Sequence, residues 1–170
     1  RLVSPILAVP HVAVALGLAF LIAPSGWLAR ALSPWLTGLE RPPDLTIVHD
    51  PAGLALVAGL VIKEVPFLLL LTLAALGQVE AAPARTLTRT LGYGRVAGWL
   101  LMVFPRLYPQ LRLPIYAVLA YATSVVDVAM ILGPTTPPPL AVQVLTLTSD
   151  PDLALRFAAA AGAVLQLLLA

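Results

Sequence analysis

Three ionisable side chains lie inside apolar stretches of the sequence, where they could carry protons or line a path for a polar solute. Lys63 and Glu64 are adjacent near the middle of one stretch, and Asp127 lies toward the end of another. A lysine or carboxylate at the centre of a bilayer costs about 2.5–3.5 kcal/mol on insertion scales, so each should face a bundle interior or a water-filled cavity. Two interpretations stay open: the three residues line a pathway, or they form a polar clamp between helices.

The sequence lacks the patterns of an enzyme active site. It contains no HExxH, GxSxG or GxxxxGK[ST] pattern, and without cysteine it offers no thiolate nucleophile or thiolate metal ligand. Residues 92–97 satisfy the loose dinucleotide pattern GxGxx[GA], but no strand precedes them. His49, beside Asp50, has no second ligand at a suitable spacing and is more typical of a solvated loop than of a metal site. We therefore expect no catalytic residue, metal or cofactor.

The composition indicates which elements must position these side chains. Hydrophobic residues make up 60% of the 170 positions and charged residues only 11%, against roughly 25% charged in soluble domains. Such a chain is solvated by membrane lipid or by its own helices, and it predicts an all-α polytopic transmembrane bundle. The formal charge of +2 is too small for a nucleic-acid-binding protein.

The apolar stretches predict four membrane-spanning helices. A hydrocarbon core about 30 Å thick requires about 20 helical residues. Three stretches satisfy this length and a fourth continues to the end of the chain; they cover residues 2–23, 50–76, 109–132 and 153–170. Because the sequence begins with Arg1 rather than methionine and ends inside an apolar run, we expect residues 1–170 to be a single transmembrane domain of a longer protein.

Local signals place the boundaries of two helices. Asp50 is the predicted N-cap of the second span, with Pro51 at its first helical position. Trp27 and Trp35 flank residues 28–36, which are predicted to form a short helix at headgroup level, where aromatic rings prefer to lie.

The distribution of arginine predicts the orientation of the spans. Residues 77–108 contain four arginines and one acid, whereas residues 133–152 contain two acids and no base. Since basic loops stay on the cytoplasmic side, residues 77–108 should face the cytoplasm and residues 24–50 and 133–152 the outside.

Residues 77–108 could also bind a cytoplasmic partner. The segment is long for a connection between two spans, and its glycines at 92, 94 and 98 would let another protein approach the backbone closely. The alternative is a solvated loop whose arginines only fix the topology. The residues by themselves favour neither interpretation.

At this segment the chain resembles a known family. Thr86-Leu87-Thr88, three further residues, Gly92, nine further residues and the sequence MVFP ending at Pro105 match the spacing of the EAA motif, E-A-A-x3-G-x9-I-x-L-P. The acidic position of that motif falls on Thr86. The chain thus resembles the inner-membrane permease subunit of a binding-protein-dependent ABC importer, and is most similar to the thiamine, iron(III) and sulfate type.

The resemblance implies a function and a set of partners. Residues 77–108 would contain a coupling helix that contacts a cytoplasmic ATP-binding subunit, where nucleotide hydrolysis would occur, so this chain would not itself be an enzyme. A second permease subunit or half, and an extracytoplasmic solute-binding protein, would complete the importer in the cytoplasmic membrane of a bacterium or archaeon. The implied coupling residues are Thr86, Arg89, Gly92, Gly94, Arg95, Gly98 and Pro105.

Two other functions remain as alternatives. An ion-coupled secondary carrier would use Lys63, Glu64 and Asp127 as a relay and would need no ATPase. A membrane scaffold without transport activity would depend on Gly92 or Pro105 for assembly alone. The spacing of the motif favours the importer over both.

Overall fold

The regular elements of the described chain are all helical. The computed structural model describes residues 7–79, 90 and 92–169, and the start of the first predicted span, residues 2–6, lies outside them. Within the described residues the prediction of an all-α fold is confirmed. The elements are α1 (His11–Ile22), α2 (Trp27–Leu32), α3 (Leu54–Gln78), α4 (Arg95–Gly98), a π-helical turn (Trp99–Val103), α5 (Phe104–Ser124), α6 (Asp127–Leu132), α7 (Leu140–Ser149) and α8 (Leu155–Leu169).

Two helical stretches of the described chain are long and apolar enough to cross a membrane. They are His11–Leu32, which comprises α1 and α2, and Leu54–Gln78, which is α3. Leu140–Ser149 and Leu155–Leu169 are apolar but shorter. The first two predicted spans therefore have helical counterparts, while the total of four spans stays a prediction.

The chain divides into two compact units. The first comprises Arg1–Lys63 and Ala120–Ala170, and the second comprises Glu64–Leu119. In the first unit α1, α3 and α6 pack around small and branched side chains. Gly59 allows a close approach there, because a Cβ added to it would lie 2.5 Å from Cδ1 of Leu132. The buried core consists of Ala15, Ala55, Val125, Val128 and Leu132.

The second unit has a smaller core, formed between the C-terminal half of α3 and α5. Ala75, Leu107 and Leu111 are buried, and Leu71 and Ile115 are among the partly buried residues that pack against them. Many other apolar side chains of this unit are exposed, including Leu113 at 70% and Val96 at 74%. Exposure of this kind is expected where lipid or a partner, rather than water, covers a helix.

The start of α3 differs from the prediction. The helix begins at Leu54 rather than at Pro51, because residues 50–53 form a turn in which Gly53 has φ of +70° and its N–H donates to the carbonyl of Asp50 at 2.9 Å. Asp50 still caps the helix from outside it. Its carboxylate accepts the N–H groups of Leu54 at 2.8 Å and Ala55 at 2.9 Å.

The third predicted span, residues 109–132, is divided and begins earlier. Helical backbone is continuous from Arg95 through the π-helical turn to Ser124, with Pro109 and Pro114 inside α5. A break at residues 125–126 then separates α5 from α6. The two prolines do not end the helix, since apolar helices tolerate proline in their interior.

Two shorter segments also differ from the predictions. Residues 133–152, predicted as an outer loop, contain α7, which packs on α8 with Gly162 at the contact: a Cβ there would lie 2.8 Å from Cγ2 of Val144. A ten-residue helix is marginal alone and is stabilised by this tertiary contact. The helix predicted over residues 28–36 covers only Trp27–Leu32, because Pro34 holds Ser33 in an extended conformation.

Candidate functional site

Lys63 is buried inside α3 and donates hydrogen bonds to backbone carbonyls. Its side chain is 4% exposed, and Nζ lies 2.6 Å from the carbonyl oxygen of Val9 and 3.3 Å from that of Leu7. As the tenth residue of a 25-residue helix, it lies about 13 Å along an axis of about 37 Å. Lys63 is therefore buried within the chain, which is one of the two placements expected from the sequence.

The carbonyls that Lys63 contacts lie at and just before a helix break, residues 9–10, which we call the first break. Pro10 has φ of −59° and ψ of 146°, so the helical turn at residues 7–8 ends before α1 begins. Carbonyls at the end of a helix lack intrahelical donors and carry partial negative charge. The Lys63 ammonium satisfies them, and through this contact it joins α3 to the segment before α1.

Two aromatic residues near the first break were not recognised in the sequence. The ring of His11, the first residue of α1, lies 4.9 Å from the ring of Tyr121 on α5, measured between centroids. Both side chains are partly buried in the first unit. The signal that could have found His11 was its position in an apolar stretch, where ionisable residues are rare. No sequence pattern indicated its contact with Tyr121.

Asp127 lies at a second break, residues 125–126, at the start of α6. Its carboxylate accepts the N–H of Val128 at 2.9 Å and is exposed. Other side chains bond to carbonyls near the end of α5: the hydroxyls of Thr123 and Ser124 donate to the carbonyl of Ala120, and the Gln166 amide donates to that of Thr123 at 3.3 Å. Lys63 and Asp127 are thus each associated with a different helix break.

Glu64 is the third intramembrane candidate, and it is partly buried at the start of the second unit. Consecutive residues on a helix point about 100° apart, so its side chain leaves α3 in a different direction from that of Lys63. That Lys63, Glu64 and Asp127 line a pathway stays a prediction.

The coupling segment is only partly described. Thr86 and Arg89 lie outside the described residues. Gly92 has φ of +76°, and Gly94 is extended with φ of −63° and ψ of 164°. A Cβ added at either glycine would meet nothing within 4 Å. We call residues 92–94 the glycine connector; it is an exposed, open segment immediately before α4.

The remaining coupling candidates lie in the helix that follows the glycine connector. Arg95 begins α4 and is exposed, whereas Gly98 ends it and is buried. Pro105 is the second residue of α5, directly after the π-helical turn, in which the N–H of Phe104 donates to the carbonyl of Trp99 five residues earlier. A π-helical turn beside a proline accommodates the missing donor and the bulk of the ring. Residues 95–124 form one continuous stretch of helical backbone, and a coupling helix within residues 77–108 stays a prediction.

His49 and Asp50 tie the entry to α3 against the end of α6. His49 has φ of +62°; its Nδ1 lies 2.7 Å from the Gly133 carbonyl oxygen, and its N–H donates to the carbonyl of Leu132 at 3.3 Å. It is exposed, as predicted, but it is also held in place. The N–H groups of Ala55 and Leu54, in that order of effect, lower the pKa of the Asp50 carboxyl. Among the described residues, no three histidine or acidic side chains group as metal ligands would.

Comparison with known proteins finds similarity to one class of protein, the membrane permeases. The chain is similar to an inner-membrane ABC transporter permease. That relative is the inner membrane ABC transporter permease protein YnjC of Escherichia coli (strain K12). The two are 38% identical over 139 residues, which cover 81% of this chain and 25% of the relative. This chain therefore matches about a quarter of that protein's length.

This similarity bears on several of the predictions. It supports the resemblance to ABC permeases, although not the thiamine, iron(III) or sulfate subtype. With the two apolar helices long enough to cross a bilayer, it also places the chain in the inner membrane, as predicted. No protein-family model matches the chain, and no solved structure matches it significantly.

Proposed function

We propose that this chain is part of a permease subunit of an ATP-driven ABC importer, which moves a small solute across the cytoplasmic membrane. The observation that carries the proposal is the 38% identity over 139 residues to an inner-membrane ABC transporter permease. The motif spacing that ends at Gly92 and Pro105 agrees with it. The thiamine, iron(III) and sulfate transporters are the proposed subtype.

The proposed contact with the cytoplasmic ATP-binding subunit includes the glycine connector and the start of α4. The connector is exposed and has free space around Gly94, so another protein can approach its backbone closely. Arg95 adds an exposed charge beside it. Thr86 and Arg89 would extend the contact. ATP would be hydrolysed on the partner, and this chain would contribute no catalytic residue.

The helix after the connector provides a route for the motion. Helical backbone continues from Arg95 to Ser124, about 30 residues and about 45 Å. A displacement of its exposed start by the ATPase would therefore be transmitted along the helix to the residues near the second break. Alternating access would follow when a second permease subunit or half moves in concert and a solute-binding protein delivers the solute from outside.

A cysteine at Gly94 tests the proposed contact. The sequence has no native cysteine, and Gly94 has open space and an ordinary backbone conformation, so Gly94→Cys should fold normally. The full-length protein is co-expressed with its ATPase and treated in membranes with a thiol-reactive photocrosslinker. We expect a crosslink to the ATPase whose yield changes when ATP is added.

Gly17→Cys is the matched control. Gly17 also has open space around its Cβ position, but it lies within α1 in the apolar stretch, so it should give no crosslink to the ATPase. If Gly94→Cys is labelled from the cytoplasm yet never crosslinks to an ATPase, the importer proposal is wrong. Transport that then persists without ATP and stops when the proton gradient is dissipated would instead favour the ion-coupled carrier.

A further inference from the structure

The segment after α1 carries an unusually exposed apolar surface. Trp27 is 74% exposed, Trp35 is 91% exposed and Leu36 is 80% exposed. These residues follow the apolar helix α1 directly, after the turn at residues 23–26. A tryptophan-rich surface at the end of an apolar helix is typical of the membrane–water interface, where the ring contacts acyl chains and the indole N–H contacts headgroups.

A cavity of about 440 Å³ lies beside this surface, and its charged lining is net positive. Arg30 on α2 and Arg41 line it, together with a single acid, Glu40. Pro24, Ser25 and Ser33 are among the other residues of the lining. Two guanidinium groups in one cavity provide the fork-shaped donors that match the oxygens of a phosphate.

The guanidinium of Arg30 is held in place by the backbone. Its Nε donates to the carbonyl of Ser25 at 2.9 Å. That bond engages one side of the planar group and leaves the two terminal nitrogens as donors for a further acceptor. An arginine whose orientation is already fixed loses less conformational entropy when it binds an anion.

We propose that this cavity binds the phosphodiester group of an anionic phospholipid, with Trp27 and Trp35 beside the glycerol and acyl region of the same leaflet. The surface of a membrane presents phosphate and hydrocarbon side by side, and the cavity with its tryptophans presents complementary groups for both. The proposal requires the membrane location of the chain and does not rest on the importer function. It assigns the contact with lipid, which the composition leads us to expect, to a defined site.

Lipid retention by the purified full-length protein tests the proposal. The protein in detergent is titrated with phosphatidylglycerol or with phosphatidylcholine, and bound lipid is counted by native mass spectrometry. We expect preferential retention of phosphatidylglycerol. Each arginine near a headgroup contributes roughly fivefold to binding, so Arg30→Gln combined with Arg41→Gln should weaken retention about 25-fold.

Two further variants and a competitor make the outcome decisive. Arg156→Gln removes an exposed arginine from α8, away from the cavity lining, and should leave retention unchanged. Glu40→Gln removes the acid of the cavity and should strengthen retention severalfold, which a misfolded variant would not do. Equal retention in the double variant and the wild type would overturn the proposal. Equal binding of both lipids, or displacement by millimolar inorganic phosphate, which indicates a free-phosphate site, would overturn it too.

Discussion

The first break and the glycine connector are both interruptions of helix, yet their surroundings are opposite. At the first break, the end of a helical turn is covered by a lysine that is 4% exposed and bonded to the carbonyls of Val9 and Leu7. At the glycine connector, Gly92 and Gly94 are exposed with nothing within 4 Å of a Cβ position. The first interruption is satisfied within the chain, while the second is available to a partner.

We expect this difference to separate residues that stabilise the fold from residues that could bind a partner. A buried ammonium with carbonyl acceptors is costly to disturb, because either partner alone would be desolvated without compensation. An exposed connector contributes little to stability and is free to be shaped by binding. The comparison can be tested by substitutions in each region.

Loss of the Lys63 ammonium should have the largest effect. Lys63→Met keeps an unbranched side chain one atom shorter and leaves the carbonyls of Leu7 and Val9 without this donor. Hydrogen bonds to charged groups contribute about 1.5–3 kcal/mol, and we expect the free energy of unfolding to fall by about that amount. Chemical denaturation of the protein in detergent micelles measures it. Lys63→Arg, which keeps the charge and donors, should lose less; an unchanged stability in Lys63→Met would contradict the structural role of the bond.

Filling the close contact at Gly59 should have a comparable or slightly smaller effect. In Gly59→Ala the added Cβ would lie 2.5 Å from Cδ1 of Leu132, which is fully buried, so one of the two residues must shift. Overpacking of this kind costs about 1–3 kcal/mol. Gly17→Ala is the control, since its Cβ meets nothing within 4 Å and alanine favours helix by about 0.5–1 kcal/mol. Thermal unfolding of the two variants should therefore shift in opposite directions.

The glycine connector should give the smallest change in stability. Gly92→Ala forces a Cβ into a left-handed backbone conformation with φ of +76°, which costs about 1–2 kcal/mol. Gly92→Asn should recover much of this loss, because asparagine tolerates that conformation. Gly94→Ala should leave stability unchanged.

ATPase-dependent transport provides the second measurement for the connector. If the connector contacts the ATPase, a bulky substitution such as Gly94→Trp should reduce ATP-driven transport severalfold without altering the unfolding midpoint. Transport that is unaffected by Gly94→Trp would show that this region is only a solvated loop.

The sequence predicted an all-α fold and a Lys63 shielded from lipid, because both follow from hydropathy. Helices that contact lipid must be apolar, and a lysine in the middle of α3 must be shielded from the hydrocarbon. The contact that covers it was not predictable, since its acceptors are backbone carbonyls of Leu7 and Val9, more than fifty residues away. Asp127, which the clamp interpretation grouped with Lys63 and Glu64, bonds to the backbone of its own helix.

The helix boundaries were also only partly predictable from the sequence. Proline and glycine signals gave the wrong start for α3 and missed both α7 and the second break. In each case a tertiary or side-chain contact lies where the prediction failed: the Asp50 carboxylate accepts the N–H of Leu54, Gly162 allows α7 to pack on α8, and the Gln166 amide donates to the Thr123 carbonyl near the end of α5. Such contacts are not encoded in local propensity.

The π-helical turn at Trp99–Val103 changes the angular phase between the two ends of one long helix. Such a turn inserts one residue relative to an uninterrupted α-helix, which rotates everything beyond it by about 100°. The turn therefore determines how the face of α4 beside the glycine connector is oriented relative to the face of α5 that packs in the second unit. Loss of a single codon within this turn would reorient one surface relative to the other while preserving both local sequences.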